Sequence, residues 1–320
     1  MPRDRIDAAS LMRLRSLQLR ARAVVEGFLA GLHRSPYHGF SAEFSEYREY
    51  TPGDDPRYLD WRLLARSDRY YVKRFEDETN LQCWLLVDLS GSMAFGTQST
   101  ETAAGSLSWT KADFARTIAA TLAYFLSRQR DAVGLITFDE SITEAVPARF
   151  TSGHLMRLLT SLERATGGSS TDVLGPLDRI AETVGRRGLI VLLTDLLAPP
   201  DGLRDRLAIL RARGQEVLVL RVLDPREVDF AFDRPQLFRD AETGREFYVD
   251  PAAASAGYRE RFAAHAADLQ GLMATLGIEM ATLRTDEPIE QALFELLAAR
   301  MRQAQTGRVA GKAGAAGGRQ

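Results

Sequence analysis

Short runs that are apolar at nearly every position alternate along this chain with stretches in which apolar residues return every three or four positions. The runs cover 81–87, 132–138, 188–194 and 216–223, and 277–282 is a weaker fifth. A strand without a polar face belongs inside a sheet covered on both sides. The intervening periods predict helices over 111–128, 154–162, 173–184 and 202–212, with a long one over 251–276. Strands alternating with helices specify a doubly wound, mostly parallel α/β sheet over residues 81 to about 285.

The flanks follow different patterns. Between residues 8 and 32, Leu11, Leu14, Leu17, Leu19, Val24, Val25, Phe28 and Leu29 recur at helical spacing among Arg13, Arg15, Arg20 and Arg22. Such a helix packs on the following domain or, less commonly, lies on a membrane surface. Residues 35–77 are aromatic, charged and turn-rich, with Thr51-Pro52-Gly53-Asp54-Asp55-Pro56 as the strongest break. Two extended pieces around Glu242-Thr243-Gly244 predict a hairpin at about 237–249. A last amphipathic helix is expected over 288–302, and the Gly-, Ala- and Lys-rich residues from about 306 have no apolar period and are expected to be disordered. The expected organisation is 1–79 as a helix plus irregular segment packed on the main domain, 80–303 as the α/β domain and 304–320 as a tail.

Composition narrows the function classes. With 41 Lys and Arg against 43 Asp and Glu, the net charge of −2 offers a polyanion such as nucleic acid no bulk attraction. Cys83 is the sole cysteine, which excludes an intrachain disulfide and a cysteine-based zinc cluster, suits a reducing compartment and, in its apolar run, suits core packing. No segment has the pattern of a signal peptide or the length of a membrane span, so cytoplasmic residence is expected.

The first strand runs into Asp88-Leu89-Ser90-Gly91-Ser92-Met93, so a carboxylate and two hydroxyls emerge at the carboxyl end of a buried strand, the edge where open α/β sheets bind ligands. Alternation lets Asp88, Ser90 and Ser92 converge, with Gly91 allowing a tight backbone. The strand 188–194 also ends on a carboxylate, Asp195, and the loop Gly167-Gly168-Ser169-Ser170-Thr171-Asp172 supplies further hydroxyls before a helix. Hard oxygen donors with few charges select Mg²⁺ or Mn²⁺ over zinc, with an exchangeable position left for a ligand. Taken alone, Asp-x-Ser-x-Ser is also a common helix cap or turn.

At these residues the chain resembles the von Willebrand factor A superfamily, with Asp88, Ser90 and Ser92 matching its first motif, Thr171 its threonine motif and Asp195 its final aspartate. The resemblance implies a metal-dependent adhesion site in which Ser90, Ser92 and Thr171 ligate directly and Asp88 and Asp195 act directly or through water; Ser170 rivals Thr171. Residues Glu43-Phe44, Arg48, Tyr50 to Asp55, Arg57, Leu59-Asp60-Trp61, Ala65-Arg66, Val72 to Phe75 and Leu223-Asp224-Pro225 further resemble a bacterial family, domain of unknown function number fifty-eight. Its members are typically encoded beside MoxR-type AAA+ ATPases, which implies a non-catalytic adaptor joining such an ATPase to a client in complex assembly or maturation. Many of those relatives carry N-terminal membrane helices; this sequence contains none.

Other candidates are weaker. Arg57, Asp60, Trp61, Arg62 and Arg66 form either a partner-docking surface or a structural ion-pair network. Tyr70, Tyr71 and Phe75 alternate in a strand-like way that suits packing. His33, His38, His154 and His265 lack zinc-ligand spacing, and neither Gly-x-Ser-x-Gly nor a phosphate-binding loop is present. Asp88 as the nucleophile of a Mg²⁺-dependent phosphatase would want an acid at position 90, where Ser90 stands, and a nearby lysine, which the motif's surroundings do not offer. An extracellular adhesin would need export. A metal-dependent scaffold working without an ATPase is the remaining alternative.

Overall fold

The computed structural model describes residues 8–14, 16–33, 47–49, 71–73, 82–102, 105–164, 168, 170–185, 187–198, 201–241, 243–290 and 293–294. The suggested docking residues Arg57, Asp60, Trp61 and Arg62 lie outside them, as do the 304–320 tail and most of the helix expected over 288–302. Residues 1–30 with 81–320 make one compact unit and 31–80 a second.

In the second unit the strands β1 (Tyr47–Glu49) and β2 (Tyr71–Lys73) pair antiparallel, so the segment read as irregular contains at least this ribbon.

The first unit begins with two helices, α1 (Ala8–Arg13) and α2 (Leu17–His33), where a single helix was expected. At the break the Arg20 side chain donates to the Leu14 carbonyl at 2.6 Å, satisfying an acceptor that a continuous helix would have used. Leu11, Leu17, Val24, Val25 and Phe28 are buried, whereas Leu19 is exposed.

The remaining elements, in chain order, are β3 (Gln82–Asp88), β4 (Gln98–Thr102), β5 (Gly105–Trp109), α3 (Lys111–Arg128), β6 (Ala132–Phe138), β7 (Ile142–Arg149), α4 (His154–Arg164) and α5 (Leu174–Thr183). There follow β8 (Gly188–Thr194), α6 (Leu203–Ala212), β9 (Glu216–Leu223), α7 (Pro225–Asp229), β10 (Gln236–Arg239), β11 (Glu246–Val249), α8 (Pro251–Thr275) and β12 (Glu279–Arg284).

Six strands form one sheet in the order β12-β9-β8-β3-β6-β7, parallel throughout except for β7. β7 went unrecognised in the sequence because Val146 alone of its residues is buried. Its direction follows from the three-residue turn at 139–141, too short for the crossover that a parallel neighbour needs. The β4–β5 hairpin was missed as well, its Ser-, Thr- and Glu-rich strands carrying no apolar run.

Side chains of β3 alternate between the two faces. Trp84 and Leu86 join Leu177, Ile180, Leu203, Leu207, Leu210, Leu269 and Met273 in a core formed with α5, α6 and α8. The helix α3, with thirteen buried residues, covers the other face. Phe28 of α2 meets Phe125 of α3 edge-on at 6.2 Å, so the apolar stripe of α2 is used for packing. The architecture is a mostly parallel α/β sheet flanked by helices, as the doubly wound pattern implied.

Candidate metal centre

The chain leaves β3 in one direction, through α3 to β6, and the later strands are laid down from β8 on the opposite side. The carboxyl ends of β3 and β8 therefore flank a topological switch point, where no crossover helix fills the edge. Asp88 is the last residue of β3 and Asp195 follows the last residue of β8, which is why two carboxylates distant in sequence share one edge.

Asp88 is fully buried. Its Oδ1 accepts the Ser90 amide at 2.9 Å, an Asx turn, and its Oδ2 accepts the Thr194 hydroxyl at 2.7 Å. The loop stays latched to the sheet because the Leu89 amide donates to the Phe138 carbonyl at 2.8 Å. The chain then enters a 3₁₀ turn, Ser92–Ala94, which brings Ser92 Oγ to 3.2 Å from Ser90 Oγ. Gly91 has φ −59°, open to any residue, so glycine's special freedom does not form this turn.

The hydroxyl-rich loop approaches from the same side. The Gly168 amide donates to the Leu89 carbonyl at 3.2 Å and the Asp172 amide to the Asp139 carbonyl at 2.6 Å, holding Thr171 half-buried on this edge while Ser170 is exposed. Glycine is required at 168: a Cβ there would lie 2.6 Å from Asp139 Oδ2. Asp172 accepts the amides of Leu174 and Gly175 and so caps α5.

Asp195 is differently engaged. Its Oδ2 accepts Lys111 Nζ at 2.8 Å, and the same ammonium donates to Glu227 Oε1 at 2.6 Å. Lys111 is fully buried. The expectation that no lysine stands near the motif is thereby corrected: Lys111 opens α3, and the parallel crossover delivers it to the end of β8. Burial acts to lower the Lys111 pKa, but Asp195 and Glu227 more than offset it, and the net shift is upward. Glu227 belongs to a capping box with Asp224 at the start of α7, and Asp224 in turn accepts the Thr97 amide at 2.8 Å and hydroxyl at 2.6 Å. Arg221 Nε donates to the Asp195 carbonyl at 2.9 Å. Beside these groups Leu196 takes φ +46°, a left-handed conformation that strains a branched side chain. Lys111 directly follows the cap Thr110, where a cation opposes the helix dipole, and the sequence carried no signal of the two distant carboxylates that answer it.

Burial pushes the Asp88 carboxyl up to about 6, the bonds from Thr194 and Ser90 only partly opposing it and Asp195 adding to it. Two hydroxyls 3.2 Å apart beside an ionisable carboxylate fit a small hard cation. Among the described residues no three His, Cys, Asp or Glu side chains cluster as ligands, so such a cation would rest largely on hydroxyl oxygens. Asp195 Oδ2 is held by Lys111, a partnership that competes with direct ligation of a cation. His154 bonds the Val133 carbonyl and His265 the Leu196 carbonyl, both structural contacts.

The family model described as "Protein of unknown function DUF58" matches residues 46–271. An uncharacterised protein of Mycobacterium tuberculosis is 32% identical over 299 residues, covering 92% of this chain and 90% of its own length. One of Mycobacterium avium is 35% identical over 170 residues, covering 51% of this chain and 98% of its own. Among solved structures, an aerotolerance-related membrane protein from Bacteroides fragilis aligns at TM-score 0.44 and 16% identity over 69% of this chain and 99% of that one. BatB from Bacteroides thetaiotaomicron aligns at TM-score 0.44 and 15% identity over the same shares.

Proposed function

We propose that this chain, which belongs to the DUF58 family, is a non-catalytic, metal-dependent protein-binding module of the von Willebrand factor A kind. The observation that carries the reading is the approach of the Ser90 and Ser92 hydroxyls to 3.2 Å beside the Asp88 carboxylate, at the switch point between β3 and β8. Ser90, Ser92 and, from the neighbouring loop, Thr171 would hold Mg²⁺ or Mn²⁺, with Asp88 supplying the charge. When bound, the ion supplies an exchangeable position that accepts a carboxylate oxygen from a partner. The protein's own part is to orient the hydroxyls, through the Asx turn at Asp88 and the latch from Leu89 to Phe138, and to keep water from the buried carboxylate.

The partner is a MoxR-type AAA+ ATPase acting with a client in complex assembly or maturation, a reading that rests on the family resemblance. Phosphatase chemistry at Asp88 is disfavoured because Ser90 stands where the second acid of such an enzyme is needed. A scaffold without an ATPase is the second reading.

The test pairs the purified chain with the purified MoxR-type ATPase of the same genome, with Mg²⁺ or with a chelator, for the natural chain and for Ser90→Ala/Ser92→Ala. Association lost on chelation and in the variant supports the adaptor. Association indifferent to both removes the metal from the interaction, and none under any condition leaves the scaffold reading.

A further inference from the structure

Lys111 occupies an unusual position. It is the first residue of α3, where the helix dipole repels a cation, and lysines are seldom fully buried. Its Nζ nevertheless lies between two carboxylate oxygens, 2.8 Å from Asp195 and 2.6 Å from Glu227, with its side chain 0% exposed. The surroundings hold it there. The Lys111 amide donates to the Phe95 carbonyl at 2.9 Å, anchoring the start of α3 to the segment that follows the Ser92 turn. The Asp224 amide donates to Glu227 Oε2 at 2.9 Å, and Arg221 grips the Asp195 main chain. An ammonium so enclosed plays towards Asp195 the part that a bound cation would play.

We infer that Lys111 is the resident cation of this sheet edge: its ammonium takes up the Asp195 carboxylate and limits metal ligation to Asp88, Ser90, Ser92 and the Thr171 loop. The inference rests on reading the edge as a cation site and adds its charge balance. Asp195 and Glu227 share this lysine, with the buried Arg221 guanidinium also acting on both, whereas the two Asp88 oxygens are held by neutral donors, the Ser90 amide and the Thr194 hydroxyl. A divalent ion held there keeps a net positive charge, which favours an anionic partner group over a neutral one.

The test is Mg²⁺ titration calorimetry on the full chain, using the natural sequence, Lys111→Met, Asp195→Asn and Asp88→Asn, with circular dichroism to establish folding. Lys111→Met, which frees the Asp195 carboxylate, is expected to bind Mg²⁺ roughly ten-fold or more tightly than the natural chain. Asp195→Asn is expected to stay within about three-fold of it, whereas Asp88→Asn loses binding. Should Lys111→Met fail to fold, Asp195→Asn decides alone. A folded Lys111→Met that binds no more tightly than the natural chain, or an Asp195→Asn that loses Mg²⁺ as completely as Asp88→Asn, overturns the inference. Failure of the proposed function reads differently: the natural chain takes up no Mg²⁺ while Lys111→Met does, a result that keeps the resident lysine and removes the metal from the resting protein.

Discussion

The Thr194 hydroxyl donates to Asp88 Oδ2 at 2.7 Å, joining the ends of adjacent strands β8 and β3 through a bond between buried side chains. Thr194→Val keeps the shape and removes the donor, leaving a buried carboxylate oxygen without its partner. Loss of about 1–3 kcal/mol is expected on urea denaturation. No change in stability would mean that the bond contributes nothing net.

Burial raises the Asp88 carboxyl from its ordinary 3.8 to about 6. The folded chain therefore holds that proton more tightly than the unfolded chain does. The stabilising contribution is complete below about pH 4 and falls away as pH rises through about 6, by something on the order of 3 kcal/mol. A cation binds the ionised form and offsets that loss. Saturating Mg²⁺ should raise the melting temperature more at about pH 7.5 than at about pH 5. Equal shifts at the two pH values would show that the cation does not sense Asp88.

Asp224 is fully buried and accepts from the Thr97 amide and hydroxyl and from the Arg226 amide. Asp224→Ala removes the α7 cap and strands several donors, so a loss of about 2–4 kcal/mol is expected in chemical denaturation. Asp224→Asn, which retains one acceptor oxygen, should lose clearly less. Equal losses would point to the charge rather than the hydrogen bonds.

A Cβ at Gly134 would come within 2.5 Å of the Trp84 ring, because the indole lies across the backbone of the neighbouring strand. Gly134→Ala overpacks that contact and should destabilise by about 1–3 kcal/mol, with a change in near-ultraviolet circular dichroism from the displaced tryptophan. An unaltered tryptophan signal would show that β6 yields instead.

What the sequence by itself determined is the layered core and the places where oxygen ligands emerge from it. The runs at 83–87 and 188–194 are apolar at nearly every position, and a strand without a polar face is stable only inside a covered sheet. Asp88 and Asp195 end those strands, so parallel pairing obliges them to share an edge. Polar strands gave no such signal, and β7 with its single buried Val146 and the β4–β5 hairpin were read as connections. The ionic partnership of Asp195 was a decision of the tertiary structure. Lys111 is 84 residues from Asp195 and 116 from Glu227, and as a lysine after a helix cap it reads as a solvated side chain. Whether such a charge is buried depends on where the crossover sets the start of α3, which local pattern cannot encode. The fold put two carboxylates there to meet it, and in doing so divided the edge between hydroxyls that converge and a carboxylate already held.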